Sequence, residues 1–302
     1  MAAPGRFGAV LCAMATPFDR EGRLDLDGAA RLARWLVDNG NDGLVVTGTT
    51  GEGSALSDEE KLALWRAVRS AVSVPVIAGT GAASTEHTVD LSRTAAGAGV
   101  DAVLVVTPYY VRPTQSGLAA HFRAVAAASS VPVLAYDIPK RTGRELAATT
   151  MLELAREGVL VGVKDAAGSP AATAALISRA PAGFEVYSGD DSCTLPLLAV
   201  GAVGVISVAS HWAGAPMSEM TAAFAKGDVE AAAALNARLV PSWEYETSEE
   251  APNPVPTKAM LRVLGLPAGE CRPPMGPTPP GLEDRAAQVW SQLHGRPVAP
   301  VA

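Results

Sequence analysis

The chain has 302 residues, of which 48% are hydrophobic and 18% charged, a balance that excludes a mostly disordered protein and allows one large core. The net charge of -7 comes without any run of Lys and Arg able to track a phosphate backbone, which argues against a nucleic-acid partner. No apolar run reaches the roughly 18 residues that span a bilayer, so no membrane partner is expected either.

The first segment, MAAPGRFGAVLCAMATPF, has one Arg ahead of a short apolar stretch and resembles a secretion signal only superficially. Thr16-Pro17-Phe18 followed at once by Asp19, Arg20 and Glu21 fits a buried strand feeding a loop better. From Gly8 to Ile206, short apolar runs alternate with longer amphipathic ones, the pattern of repeated βα units. Strands are expected over Val10–Ala13, Gly43–Val46, Val74–Ala78, Ala102–Val106, Val131–Ala135, Leu160–Val163, Glu185–Tyr187 and Gly204–Ser207. Several are continuous Val/Ile/Leu runs, as strands buried on both faces must be. Helix starts are marked by Ser57-Asp58-Glu59-Glu60 and by Ser84-Thr85-Glu86, and Gly97 and Gly99 stop the second of these helices. Such a series folds as an open doubly wound sheet or a closed barrel; the count and even spacing of strands favour a (β/α)8 TIM barrel.

After Ile206 the pattern is helical only, over Ala215–Ala225, Val229–Leu239, Thr257–Leu264 and Leu282–Leu293. The expected organisation is a barrel over 1–225 with a C-terminal helical extension over 226–302 packed on it. The Pro-rich stretch Arg272–Pro280 fits an ordered connection or a mobile loop equally. Cys12, Cys193 and Cys271 are scattered, with no metal or redox spacing, and read as free thiols of a cytoplasmic protein. His87, His121, His211 and His294 share no spacing, so no metal is expected.

In such a barrel chemistry sits where strands end. Lys164 closes the apolar run VLVGVK, where burial would lower its pKa and suit it to attack a carbonyl; the alternative is a rim lysine paired with Asp165. The loop Thr47-Gly48-Thr49-Thr50-Gly51-Glu52-Gly53 can turn backbone N–H groups on an anion, or can be turn chemistry alone. It lacks the Lys of a phosphate loop. Tyr136, after the fifth strand, could pass protons near a strand-end lysine, and Arg141 could take a substrate carboxylate or lie on the surface. Tyr109 and Tyr110 follow the fourth strand, a place where tyrosines more often pack a loop.

Together these residues resemble the dihydrodipicolinate synthase/N-acetylneuraminate lyase family of pyruvate-dependent class I aldolases. The resemblance is carried by Ala15-Thr16-Pro17-Phe18, Gly48-Thr49-Thr50-Gly51-Glu52, Thr107-Pro108-Tyr109-Tyr110, Tyr136-Asp137-Ile138-Pro139 with Arg141-Thr142-Gly143, Gly162-Val163-Lys164-Asp165 and Ser188-Gly189-Asp190-Asp191. It continues through Gly204-Val205-Ile206-Ser207 to Asn253-Pro254-Val255-Pro256-Thr257-Lys258, nearly the whole chain.

The resemblance implies that Lys164 is the Schiff-base lysine and Tyr136 an acid/base, with Thr49 and Tyr110 completing a proton relay, Tyr110 in a neighbouring subunit's site. It implies that Thr49 and Thr50 hold the pyruvate carboxylate, that Gly189 and Ile206 line the pyruvate pocket, and that Arg141 binds the carboxylate of an aldehyde, aspartate semialdehyde by preference. It also implies a homotetramer built as a dimer of dimers and no metal or organic cofactor. Asp137 departs from the family's usual Asn, and a carboxylate there would alter the charge near Tyr136 and Arg141. Two further readings stay open: an aldolase or dehydratase acting on another 2-oxo acid, such as a sugar-derived acid or 4-hydroxy-2-oxoglutarate, and a non-catalytic 2-oxo-acid-binding protein.

Overall fold

The computed structural model describes residues 5–298. The first four residues of the N-terminal apolar segment and the last four of the expected extension lie outside the described residues. In chain order the elements are β1 (Val10–Ala13), α1 (Leu26–Asp38), β2 (Gly43–Val46), α2 (Asp58–Ala71), β3 (Val76–Gly79), α3 (Thr85–Gly97), β4 (Ala102–Val106), α4 (Gln115–Ala128) and β5 (Val133–Asp137). They continue as α5 (Pro139–Thr142), α6 (Ala148–Arg156), β6 (Gly162–Asp165), α7 (Pro170–Ile177), β7 (Glu185–Ser188), α8 (Thr194–Ala199), β8 (Gly204–Ser207) and α9 (Ser210–Ala225). Last come α10 (Val229–Tyr245), α11 (Val255–Val263) and α12 (Leu282–His294).

All neighbouring strands pair in parallel, and β8 returns to β1 with Ile206 beside Leu11, so the sheet closes on itself. Closure excludes the doubly wound alternative. Alternate residues of each strand divide between two cores, as the period of two demands. Leu11, Val45, Ile77, Leu104, Leu134 and Ile206 fill the barrel interior. Val10, Cys12, Leu44, Val46, Val103 and Val163 face the surrounding helices.

Three strands begin two residues later than the apolar runs suggest. In β3 and β5 the cause is proline: Pro75 and Pro132 have no N–H to give the ladder, and each serves only as an acceptor, for Leu44 and Val103. In β6 the N–H of Leu160 is still held by the Leu154 carbonyl at the end of α6. β5 and β6 also end two residues later, which places Tyr136 and Lys164 inside their strands and opposite one another in the β5–β6 ladder.

The C-terminal helices also run longer than expected. α9 starts at Ser210 and passes a kink at Ala213 and Pro216. α10 continues through Pro241 to Tyr245, because the turn beyond the proline is held by packing: Trp212 Nε1 donates to Ser242 Oγ at 3.0 Å and the Tyr245 hydroxyl to the Pro256 carbonyl at 3.0 Å. The stretch after α11 is ordered at its start, where Arg272 binds Glu60 through both terminal nitrogens at 2.8 and 2.6 Å and lies 4.3 Å over the Phe18 ring. Among the described residues no helix is long and apolar enough to cross a membrane.

Candidate active site

Lys164 points into the barrel between Tyr136 and Tyr187, its partners in the two flanking strands, and is only 5% exposed. Burial lowers its pKa to about 8; the buried carboxylate of Asp191 opposes that shift most, and the Arg141 guanidinium adds to it. Its Nζ lies 4.6 Å from the centre of the Tyr136 ring. The pairing with Asp165 considered from sequence does not occur: Asp165 turns outward, where it accepts from Thr173 Oγ1 at 2.6 Å and from the Ala167 N–H at 3.0 Å.

Burial raises the Tyr136 phenol to about 12, against the pull of Arg141 and of a hydrogen bond with the Thr49 hydroxyl. A phenol in that state keeps its proton at neutral pH and can lend it to a nearby oxygen. Gly189 closes over the same spot. A Cβ there would stand 2.9 Å from both Lys164 Cγ and Ala166 Cβ, so only glycine lets the backbone lie against the lysine stem.

The Thr47–Gly53 loop is a tight turn with Thr47 and Glu52 at positive φ, 61° and 52°. Its threonines divide the work. The Thr47 hydroxyl donates to the Gly79 carbonyl at 2.9 Å and accepts from Trp65 Nε1 at 2.8 Å, which fixes the loop on β3 and α2. The Thr50 hydroxyl is buried and accepts from Asn253 Nδ2 at 3.0 Å. Thr49 faces the open mouth. Among the described residues no acceptor engages the backbone N–H groups of Thr49 and Thr50, which leaves them available to an anion.

A cavity of about 490 Å³ opens above this floor and brings together Thr49, Tyr136 and Arg141, with Tyr109, Ile138 and Asn253 on its walls. Arg141 is exposed, and among the described residues the one hydrogen bond of its side chain is to the Asn253 carbonyl at 3.4 Å. Thr50, Gly189 and Ile206 lie off this wall: Thr50 behind the loop, Gly189 over Lys164, and Ile206, fully buried, in the barrel interior. Tyr110 is not in the site at all. Its φ is 71° and it is 90% exposed, next to Val111, 57% exposed.

Asp137 also corrects its expectation. It alternates with Tyr136 and so faces the outer layer, where it accepts from the Leu146 N–H at 3.0 Å. Burial raises it to about 7 against that hydrogen bond, with Asp165 and Glu145 adding to the rise, and it does not figure among the charges acting on Tyr136.

Several residues of the site carry no role in the sequence reading. Asn253 orients Thr50 and is itself held by Thr257 Oγ1 at 3.2 Å. Glu52 and Lys258 form an ion pair at 2.5 Å, both nearly inaccessible, which joins the threonine loop to α11. Asp191 and Glu246 lie buried beside Lys164. The Asp190-Asp191 pair just after a strand was a usable signal; Glu246 was hidden because Pro241 suggests a helix end well before it. His211 is a structural residue: its Nδ1 donates to the Val208 carbonyl at 2.7 Å and its Nε2 accepts from the Ala15 N–H at 3.0 Å. Among the described residues no three His, Cys, Asp or Glu side chains are grouped to hold a metal ion.

The Dihydrodipicolinate synthetase family profile matches residues 6–292. A 4-hydroxy-tetrahydrodipicolinate synthase of Moorella thermoacetica is 52% identical over 274 residues, 89% of this chain and 92% of that protein. The crystal structure of a dihydrodipicolinate synthase of Bacillus anthracis superposes with a TM-score of 0.91 at 41% identity, covering 95% of this chain and 98% of the other. A dihydrodipicolinate synthase of Acinetobacter baumannii, solved in complex with pyruvate, gives a TM-score of 0.91 at 35% identity over 95% and 99% of the two chains. With match, identity and superposition all running through the strands that carry Tyr136 and Lys164, this chain belongs to the dihydrodipicolinate synthetase family.

Proposed function

We propose that this protein is a class I, Schiff-base-forming 4-hydroxy-tetrahydrodipicolinate synthase that condenses pyruvate with L-aspartate 4-semialdehyde. The observation that carries the reading is a buried Lys164, lowered to about 8, with its Nζ 4.6 Å from the ring of Tyr136, which lines an open cavity, in a chain 52% identical to a synthase of that name.

The Lys164 amine adds to the keto carbon of pyruvate, and the carbinolamine loses water to give an iminium, with Tyr136 supplying the proton to the departing hydroxyl. The backbone N–H groups of Thr49 and Thr50 hold the pyruvate carboxylate. Loss of a methyl proton gives the enamine, whose carbon attacks the aldehyde while Arg141 orients that substrate by its carboxylate. The amino group of the condensed chain then displaces Lys164 from the imine carbon, closing the ring and restoring the free lysine. One water leaves overall, no electrons are exchanged, and neither metal nor organic cofactor is required.

Action on another 2-oxo acid would use the same lysine and differ only in its acceptor contacts, and Asp137, which turns outward, is not one of them. Steady-state rates with pyruvate and a panel of aldehydes test the choice. L-Aspartate 4-semialdehyde should give the highest kcat/KM, and Arg141→Ala should raise its KM by about tenfold or more with little change for pyruvate. A sugar-derived or simple aldehyde preferred over it would overturn the assignment.

Tyr110 supports a homotetramer, a dimer of dimers in which each copy lends this side chain to its neighbour. A large aromatic held at positive φ and 90% exposed carries strain that a monomer does not use. Tyr110→Phe should lower kcat by about tenfold while leaving pyruvate affinity nearly unchanged. Sedimentation showing a fully active monomer at assay concentration would defeat this. Free Cys12, Cys193 and Cys271 support a reducing, cytoplasmic setting.

A further inference from the structure

Two acids beside Lys164 take no part in the chemistry so far described. Asp191, in the turn after β7, is 1% exposed; its Oδ1 accepts from the Ser207 hydroxyl and its Oδ2 from the Val208 N–H at 2.8 Å. Glu246, just past the end of α10, is 8% exposed and hydrogen-bonds Asp191. Its Oε2 is buried with no partner among the described residues. Asp191 is the charge that most opposes the lowering of Lys164 by burial.

Two touching carboxyls in a protein interior do not both ionise; they share one proton. Here the environments decide where it sits. Both Asp191 oxygens are met by donors that favour a carboxylate, whereas burial, followed by the charge of Asp191, drives Glu246 well above the usual carboxyl range. Burial raises Asp191 too, but Ser207, Val208, Glu246 and Lys164 all pull against it.

We propose that Asp191 and Glu246 form a unit holding one proton and one negative charge, in which neutral Glu246 is a positioning residue that donates to Asp191 and keeps it ionised as the counter-ion of Lys164. The proposal rests on Lys164 being the amine that meets the keto acid. Its consequence is electrostatic. When the neutral amine becomes an iminium, a fixed positive charge appears in a dry interior, and a fixed negative charge is already beside it, so the electron sink forms without reorganisation.

The other groups around the pair and the lysine do not titrate in the same range. Arg141 on α5 acts on Lys164 in the same sense as burial. Burial raises Tyr136 on β5 to about 12 and pushes the Cys12 thiol on β1 up. His211 on α9, which touches Cys12, is lowered to about 4 by burial. Asp190 adds a further negative charge toward Glu246. Asp137, near 7, faces the outer layer.

The test is the pH dependence of imine formation, read as borohydride-trapped pyruvate adduct on the whole enzyme. The rate rises with pH as Lys164 loses its proton. Asp191→Asn removes the counter-ion, so the midpoint should fall by about one pH unit and kcat by about tenfold or more. Glu246→Gln keeps a neutral donor and should leave the midpoint in place, whatever it does to turnover. An equal shift in Glu246→Gln would mean that both acids are ionised, and an unmoved midpoint in Asp191→Asn would mean that Asp191 is no counter-ion; either overturns the proposal. Infrared spectra decide even if Asp191→Asn does not fold: carboxylic-acid absorption of the intact enzyme at neutral pH, to which Asp137 also contributes, should lose one component in Glu246→Gln, and a spectrum that Glu246→Gln leaves unchanged ends the proposal. Wild-type enzyme that traps no adduct on Lys164 defeats the aldolase reading, whereas trapping with the wrong midpoints defeats only the counter-ion.

Discussion

Lys164→Ala should lose at least about three orders of magnitude in turnover, and borohydride added with pyruvate should inactivate the native enzyme through a single reduced adduct on Lys164. The competing amines are the other two buried lysines, Lys61, which is paired with Asp58 at 3.2 Å, and Lys258, whose surroundings disqualify it. Its Nζ is paired with Glu52 at 2.5 Å, donates to the Glu270 carbonyl at 3.1 Å and sits 4.0 Å over the Phe18 ring. Burial lowers its pKa as well, but the Glu52 carboxylate resists the shift, and neither contact can be given up without stranding a buried charge. Lys164 has no such partner: its neighbours are a phenol and a counter-charge, so its amine is free to react. Trapping should accelerate as pH rises through about 8, because only the unprotonated amine attacks. Peptide mapping that finds full inactivation with Lys164 unmodified, or a Lys164→Ala enzyme that still turns over, removes the mechanism.

The architecture was legible because each strand of a closed parallel barrel is buried on both faces and leaves a short Val/Ile/Leu run, while the helices between them carry caps such as Ser57 with Glu60. The strand starts were less legible. Periodicity registers apolarity, not donors, and Pro75 and Pro132 are apolar residues that cannot give an N–H to the ladder. The chemistry-bearing residues nearest the strands, Lys164, Tyr136 and Gly189, could be marked from position and motif. What lay beyond sequence were pairings between distant segments: Asn253 with Thr50, Lys258 with Glu52, Glu246 with Asp191. Each depends on how the C-terminal helices return over the barrel mouth. Local signals also misled at α10, where a proline marks a stop that tertiary packing overrides, and at Asp137, whose side chain takes the opposite face from its neighbour Tyr136.

Gly189→Ala should cut kcat by about a hundredfold while the protein stays folded, a large effect from one methyl group. The new Cβ would stand 2.9 Å from Lys164 Cγ and from Ala166 Cβ, and 3.1 Å from the Asp165 carbonyl carbon. None of these is the free end of a flexible chain. The backbone cannot simply retreat, since the Gly189 N–H donates to the Asp165 carbonyl at 2.7 Å and ties β7 to β6 at this rung. The lysine stem must therefore swing, and its amine leaves the line on which it meets the keto carbon beneath Tyr136. The strain of one added methyl group is about 1–3 kcal/mol, within what a large single core can absorb, so stability should fall modestly while catalysis falls steeply. Ala166→Gly combined with Gly189→Ala removes one of the two closest contacts and should restore part of the rate. Thermal unfolding and single-turnover adduct formation, measured side by side, separate the two effects. A Gly189→Ala enzyme that forms its pyruvate adduct at the native rate would show that the approach of this backbone to Lys164 has no catalytic consequence.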